Sequence, residues 1–169
     1  MRSGAYKNYF VFLTTLPVFS FSTQSISKVF TLTKVFSLLG NTLWDRVDVE
    51  PSGNPFNHLS LLEQENGIPR NPLINAGALV IADILVSELK NPKDDFLNFV
   101  RNLANDNSIY YDENIAKSEK ETGFRNYAAA NLLKSFNNLN NSVDEVLDFY
   151  FHQCSLKMSC KHMINTYQA

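Results

Sequence analysis

The sequence is poor in several features that would restrict its fold or its partners. Its 169 residues include only 2 cysteines, 6 glycines and 6 prolines. Two cysteines are too few for a disulfide framework, and no apolar run reaches the roughly 18 residues of a membrane-spanning helix. The net charge of −2 shows no excess of either sign, so we expect neither a nucleic-acid nor a membrane partner.

The composition is that of a globular protein. Hydrophobic residues make up 44% of the chain and charged residues 19%. A chain of this length buries roughly 70% of its unfolded surface, which is enough for one domain and too little for two.

The amino terminus admits two interpretations. A mildly basic start is followed by an apolar stretch over residues 9–21, which loosely resembles a signal peptide. Pro17 interrupts this stretch and no small-residue cleavage site follows it. These features favour one or two buried strands over residues 10–21.

The rest of the chain carries mainly helical patterns. Apolar spacing predicts a helix that ends at Gly40, and a second, clearer helix over residues 75–90. Asn91 and Pro92 are typical of the start of a third helix. Further helices are predicted over residues 58–65, 113–121 and 126–136, and from the capping box of Ser142 and Glu145 onwards. Residues 41–72 form an irregular stretch that contains enough apolar residues to be packed and ordered.

Ser25 and Lys28 form an S-x-x-K motif at the start of the first helix. Residues three apart lie on one face of an α-helix, so the lysine amine could reach the serine hydroxyl. Burial lowers the pKa of a lysine, and the neutral amine can then accept the serine proton. The alternative is a capping serine beside a surface lysine.

A second S-x-x-K motif shows how weak this signal is by itself. Ser87 and Lys90 have the same spacing at the far end of the 75–90 helix, where we expect solvated surface. A β-lactamase would also need S-D-N and K-T-G elements, and the sequence contains neither.

Four other polar residues stand in unusual settings. Asn75 opens an apolar helix, which is typical of a helix cap. Glu119 and Asn126 flank a Thr-Gly helix break, where surface exposure is the simplest interpretation. Tyr150 falls in the apolar part of the last long helix, where a core tyrosine is the simplest interpretation.

A metal site is a further hypothesis. His152, Cys154, Cys160 and His162 lie close together in the sequence, but their spacing matches no known zinc module. We therefore predict no metal, and we predict that Cys154 is a small core residue.

Longer sequence segments carry a family resemblance. Five segments resemble, in order and spacing, segments of the bacterial serine-dependent glutaminases: residues 24–30, 49–57, 69–78, 118–126 and 150–155. Five ordered phrases are far more specific than one short motif.

The resemblance implies hydrolysis of L-glutamine to L-glutamate and ammonia, without a metal or an organic cofactor. It implies Ser25 as the nucleophile and Lys28 as its base. It also implies a substrate pocket, lined by Ser25, Asn75, Glu119, Asn126 and Tyr150. The family is typically intracellular, so the resemblance implies a cytoplasmic protein whose homo-oligomeric state stays open.

The resemblance also implies a fold and its limits. We expect a mainly α chain: the helical portion of the serine β-lactamase-like α/β fold, with little of its central sheet. We divide it into a divergent segment (1–20), a partial glutaminase domain (21–160) and a divergent tail (161–169). The family has an active-site tyrosine before the nucleophile, and a second tyrosine and an oxyanion N–H after the Tyr150 helix; this chain matches none of them. Two alternatives to an active enzyme therefore stay open: an inactive product, and a helical interaction module that binds full-length subunits or another protein.

Overall fold

A computed structural model describes residues 19–168. In this part the chain forms three short strands: β1 (Ser20–Ser22), β2 (Tyr110–Tyr111) and β3 (Leu156–Ser159). Its α-helices are α1 (Ser27–Leu39), α2 (Ser60–Gln64), α3 (Asn75–Glu88), α4 (Pro92–Ala104), α5 (Glu113–Thr122), α6 (Phe124–Ser135), α7 (Val143–Cys154) and α8 (Cys160–Thr166). Two 3₁₀ turns, Gln24–Ile26 and Gly40–Asp45, flank α1. The mainly α prediction is confirmed.

Helix α3 lies at the centre of the helical layer. Every residue from Ala76 to Leu85 is buried, because α1, α6 and α7 all pack against this helix. The apolar pattern of the sequence predicted a single buried stripe, whereas the structure buries α3 on all sides. Residues that begin or end α3 are therefore held against three other helices.

The small sheet joins the two ends of the described chain. β3 lies between β1 and β2 and is antiparallel to both, with Ser20 opposite Ser159 and Tyr110 opposite Lys157. The sequence predicts helix from Ser142 onwards, so strand β3 differs from that prediction. The sheet fixes the segment before Ser25 against the end of α7.

Most helix ends match their sequence signals. Helix α1 ends at Gly40 as predicted, where φ is 54° and glycine is favoured. The capping box of Ser142 and Glu145 is confirmed, with both of its hydrogen bonds formed. Asn91 precedes α4 with Pro92 in the first turn, but its side chain makes no capping bond.

A buried ionic network connects α3 to two loops. Asp83 is 0% exposed, and its carboxylate accepts hydrogen bonds from the Asn140 and Asn141 amides and from Arg46 Nη2 (2.7 Å). Burial by itself raises the pKa of this carboxyl, but these hydrogen bonds outweigh it and hold the pKa below its ordinary value. Asp83 therefore stays charged inside the protein.

The strands predicted over residues 10–21 and the division of the chain into three segments include residues outside the described part. The predicted strand region at residues 10–21 overlaps β1, while residues 1–18 lie outside the described part. The three-segment division of the chain stays a prediction. No helix within residues 19–168 has the length and apolar character needed to cross a bilayer.

Candidate active site

Ser25 lies in the tight 3₁₀ turn between β1 and α1. The amide of Ile26 donates to the carbonyl of Thr23 (3.0 Å). Ser27 Oγ donates to the carbonyl of Gln24 (2.6 Å), and the φ of Gln24 is 46°, in the left-handed region that non-glycine residues seldom occupy. The turn leaves Ser25 exposed at the amino end of α1.

Lys28 is buried instead. Its side chain is only 2% exposed, and Nζ donates to the carbonyl of Leu73 (3.0 Å) and to Oδ1 of Asn75 (2.7 Å). Within the described part of the chain, no carboxylate forms an ion pair with this amine. Burial therefore lowers the pKa of Lys28 from 10.5 to about 8, although the nearby Cys154 thiol opposes the shift.

Asn75 and Asn126 extend the hydrogen-bonded chain that begins at Lys28. Asn75 is the first residue of α3, and its Nδ2 donates to Oδ1 of Asn126 (3.1 Å) in the first turn of α6. The backbone amide of Asn75 donates to the carbonyl of Phe56 (2.8 Å), whose ring centroid lies 5.3 Å from Lys28 Nζ. One amine and two amides from three helices thus form a continuous polar chain.

The loop before α3 fixes the position of Asn75. This loop comes so close to Gly77 that a Cβ there would lie 2.0 Å from the Asn71 carbonyl oxygen. Asn71 Oδ1 accepts from the amides of Leu73 (3.0 Å) and Ile74 (3.1 Å). The interpretation of Asn75 as a helix cap is therefore wrong: Asn71 orders the loop, and the side chain of Asn75 is directed to Lys28 and Asn126.

Tyr150 and Glu119 approach from α7 and α5. Tyr150 is 3% exposed, and burial raises its pKa well above the ordinary value, with smaller contributions from Cys154 and then Glu119. The pKa of Cys154 is raised to about 12, mainly by burial and then by Glu119, while Lys28 opposes part of this rise. The thiol of Cys154 is therefore within electrostatic range of Lys28, Glu119 and Tyr150.

Ser25 and Lys28 are not hydrogen-bonded to each other. The amine of Lys28 is directed to Asn75, and the structure shows no bond between it and Ser25 Oγ. Ser25 lies in the 3₁₀ turn that precedes α1, and Lys28 is the second residue of α1. Lys28, Asn75 and Asn126 form a bonded group, with Ser25 one turn away.

The second S-x-x-K motif is surface, as predicted. Ser87 and Lys90 are both exposed, and Ser87 Oγ donates to the carbonyl of Asp83 one turn earlier (3.1 Å).

The histidines and cysteines that suggested a metal have separate neighbours. His152 Nδ1 lies 2.6 Å from the Asp148 carbonyl oxygen, and His162 Nε2 lies 3.2 Å from a carboxylate oxygen of Asp106. Cys154 is buried, as predicted for a core residue, whereas the other cysteine is exposed. Among the residues that the structure describes, no cluster of three or more His, Cys, Asp or Glu could hold a metal ion.

Several groups around Lys28 were not predicted from the sequence. The Leu73 carbonyl, the Phe56 ring and the Cys154 thiol all lie near the amine or act on its pKa. All three residues fall inside the segments that carry the family resemblance. The sequence does not show that a backbone carbonyl or a core cysteine takes part in a site. Only the position of these residues within the resembling segments could have indicated that they lie near Lys28.

Comparison with known proteins gives consistent matches. A sequence model of the glutaminase family matches residues 18–168. The chain is 58% identical over 144 residues to a glutaminase of Christiangramia forsetii, covering 85% of this chain and 47% of the relative. It is 55% identical over 148 residues to a glutaminase of Saccharophagus degradans, covering 88% and 48%.

Solved structures agree in fold. The probable glutaminase ybaS superposes with a TM-score of 0.80 at 31% identity, over 86% of this chain and 47% of that chain. A probable glutaminase of Bacillus subtilis gives 0.78 at 37% identity, over 87% and 48%. These neighbours have the β-lactamase-like fold. This chain spans about half the length of the relatives it matches, and it belongs to the glutaminase family.

Proposed function

We propose that this chain carries the serine–lysine centre of a glutaminase, which hydrolyses L-glutamine to L-glutamate and ammonia. One observation carries the proposal: the amine of Lys28, one turn from an exposed Ser25, is buried without an ion-pair partner in the described chain. A pKa of about 8 leaves a useful fraction of this amine neutral at physiological pH.

Lys28 is the proton acceptor of the proposed reaction. The neutral amine takes the proton of Ser25 as Oγ bonds to the side-chain amide carbon of glutamine. For this step Lys28 must exchange a bond to Leu73 or Asn75 for one to Ser25, and catalytic hydrogen bonds commonly tighten only when substrate binds. The ammonium of Lys28 then gives its proton to the amide nitrogen, the C–N bond breaks, and this nitrogen leaves as ammonia.

Water completes the cycle. It attacks the carbonyl carbon of the γ-glutamyl ester on Ser25 while Lys28 accepts its proton. The bond from this carbon to Ser25 Oγ then breaks, Lys28 returns the proton to Oγ, and L-glutamate is released. The reaction needs one water for each glutamine and no oxidant, metal or organic cofactor.

The surrounding polar groups suit an α-amino acid. The carboxylate of Glu119 is complementary to the substrate ammonium. The amides of Asn75 and Asn126 and the hydroxyl of Tyr150 can donate to its carboxylate. A pocket with such partners discriminates strongly against analogues that lack these groups, because its own polar atoms then stay unpaired.

The test is ammonia release from L-glutamine by the purified chain, compared with Ser25→Ala. Lys90→Met, in the surface S-x-x-K motif, is the matched control for Lys28→Met. We expect activity in the unchanged chain and in Lys90→Met, and its loss in the two site variants. Intact-protein mass spectrometry should detect one glutamyl group on Ser25 after rapid acid quenching.

Two results contradict the proposal. Ammonia release that persists in Ser25→Ala excludes Ser25 as the nucleophile. A folded chain that neither releases ammonia nor acquires a glutamyl group shows that these residues alone do not form a working enzyme.

One observation favours a second function, as a module that binds a full-length glutaminase subunit. Helix α1 and the 3₁₀ turn before it expose three apolar side chains: Ile26 in the turn, and Val29 and Phe36 in the helix. Ile26 and Ile164 are both 45% exposed, so Ile164→Glu is a matched control for Ile26→Glu. If these side chains bind a subunit, only Ile26→Glu abolishes co-elution with one in size-exclusion chromatography.

We also infer a cytoplasmic location. Both cysteines are free, which suits a reducing compartment.

A further inference from the structure

Two buried polar side chains near the proposed nucleophile have no hydrogen-bond partner in the part of the chain that the structure describes. Gln153 is 0% exposed, and neither its Nε2 nor its Oε1 contacts a donor or acceptor within residues 19–168. Thr23 is 1% exposed, and its Oγ1 is likewise unpartnered. Buried groups of this kind are rare in native proteins, because each loses its bonds to water without replacement.

Both residues lie where the nucleophile turn joins the end of α7. The amide of Thr23 donates to the carbonyl of Leu156 (2.9 Å), and Ser22 Oγ donates to the carbonyl of Cys154 (2.7 Å). Gln153 immediately precedes Cys154 and lies one helical turn after Tyr150. Two direct bonds thus connect the segment before Ser25 to the three residues that follow Gln153.

We propose that an internal water site at this junction bridges the Thr23 hydroxyl and the Gln153 amide. The hydroxyl can donate and accept, and the amide offers one acceptor and two donors. Buried waters typically make about three hydrogen bonds to otherwise unsatisfied groups. Bound water therefore supplies the missing partners without any change in the backbone.

The water site holds the 3₁₀ turn that carries Ser25 against the end of α7. Thr23 is two residues before Ser25, so bridging it to Gln153 adds a third link between the turn and α7. This inference rests on burial and hydrogen bonding, and it does not depend on glutamine hydrolysis.

The test is a double-mutant cycle in thermal unfolding of the full chain. Thr23→Val and Gln153→Met remove the polar atoms with little change in volume. Thr33→Val and Gln64→Met make the same chemical changes at exposed positions and serve as matched controls. We expect Thr23→Val and Gln153→Met each to lower Tm by about 2–6 °C, and the controls to change it much less.

The double variant separates a shared site from two independent ones. If one water site links the residues, the double variant loses clearly less Tm than the sum of the single losses. Additive losses exclude a shared site. An increase in Tm for Gln153→Met also overturns the proposal, because it shows that the amide has no partner in the folded protein.

A crystal structure of the unchanged chain tests the site without any variant. We expect a water within about 3.2 Å of Thr23 Oγ1 and of one Gln153 amide atom. A direct bond between the two side chains, or a dry junction, overturns the proposal. Should Gln153→Met fail to fold, this measurement still decides the question.

Discussion

Two buried charges in this protein are handled in opposite ways. Asp83 is surrounded by donors, including the guanidinium of Arg46, and its pKa is held low so that it stays charged. Lys28 has two neutral acceptors and no carboxylate partner in the described chain, and its pKa falls to about 8. The first arrangement keeps a buried carboxylate charged, whereas the second gives an amine whose protonation can change near neutral pH, as the proposed base requires.

Lys28→Met should show the largest difference between an effect on rate and an effect on stability. We expect acylation of Ser25 and ammonia release to fall by about 10²–10⁴, the usual contribution of a general base. The free energy of unfolding should change little. The cost of burying the lysine amine is removed, and this offsets the cost of leaving the acceptors of Leu73 and Asn75 without their donor. Rates and thermal unfolding are measured beside Lys90→Met. A Lys28→Met variant that retains full rate, or that unfolds, contradicts this assignment.

Asp83→Asn should have the converse effect on stability. The neutral amide leaves the charge of Arg46 without its partner, so we expect a loss of about 3–5 kcal/mol. For a chain of this size the loss corresponds to a fall in Tm of about 6–20 °C. Asp45→Asn, at an exposed position, is the control. Equal melting temperatures for these two variants would show that the Asp83 network is not structural.

Asn75→Asp should turn the lysine site into a structural ion pair. A carboxylate beside Nζ favours the charged amine, so the pKa of Lys28 should rise by about 1–3 units. NMR titration of the labelled lysine side chain measures this shift, with the exposed Asn98→Asp as the control. Activity at neutral pH should fall in parallel. An unchanged Lys28 pKa in Asn75→Asp would contradict the predicted coupling.

A smaller effect is expected in the pH dependence of the reaction rate. If Lys28 is the neutral base that we propose, the acylation rate should rise about tenfold from pH 7 to a plateau above pH 9. A rate that is flat over this range, or that falls, argues against Lys28 as the base.

Stability should respond to pH in two separate windows. The folded pKa of Lys28 lies below its unfolded value, so its burial penalty is present below about pH 8 and disappears as pH rises through 10.5. The folded pKa of Asp83 is also lowered, so its contribution is present above 3.8 and is lost as pH falls through the folded value. Thermal unfolding across pH, with Lys28→Met and Asp83→Asn as references, measures each window.

Local sequence signals predicted much of the helical layer. The residues 75–90 pattern corresponds to Asn75–Glu88, and the capping box at Ser142 marks the start of α7. These features succeed because caps and apolar spacing act within one or two turns. The strand β3 was missed because its four residues are defined by pairing with β1, more than 130 positions earlier in the chain.

The candidate site divides in the same way. The sequence alone determined the family resemblance, the S-x-x-K spacing and the six residues that the resemblance implies. Only the tertiary structure decided that Lys28 is buried and directed to Asn75, that Asn126 continues this chain, and that Ser25 stands apart in an exposed turn. The physical reason is that burial and long-range hydrogen bonds set the pKa and the direction of a side chain. Here the hydrogen-bond partners lie about 50 positions apart in the sequence, so no local pattern encodes them.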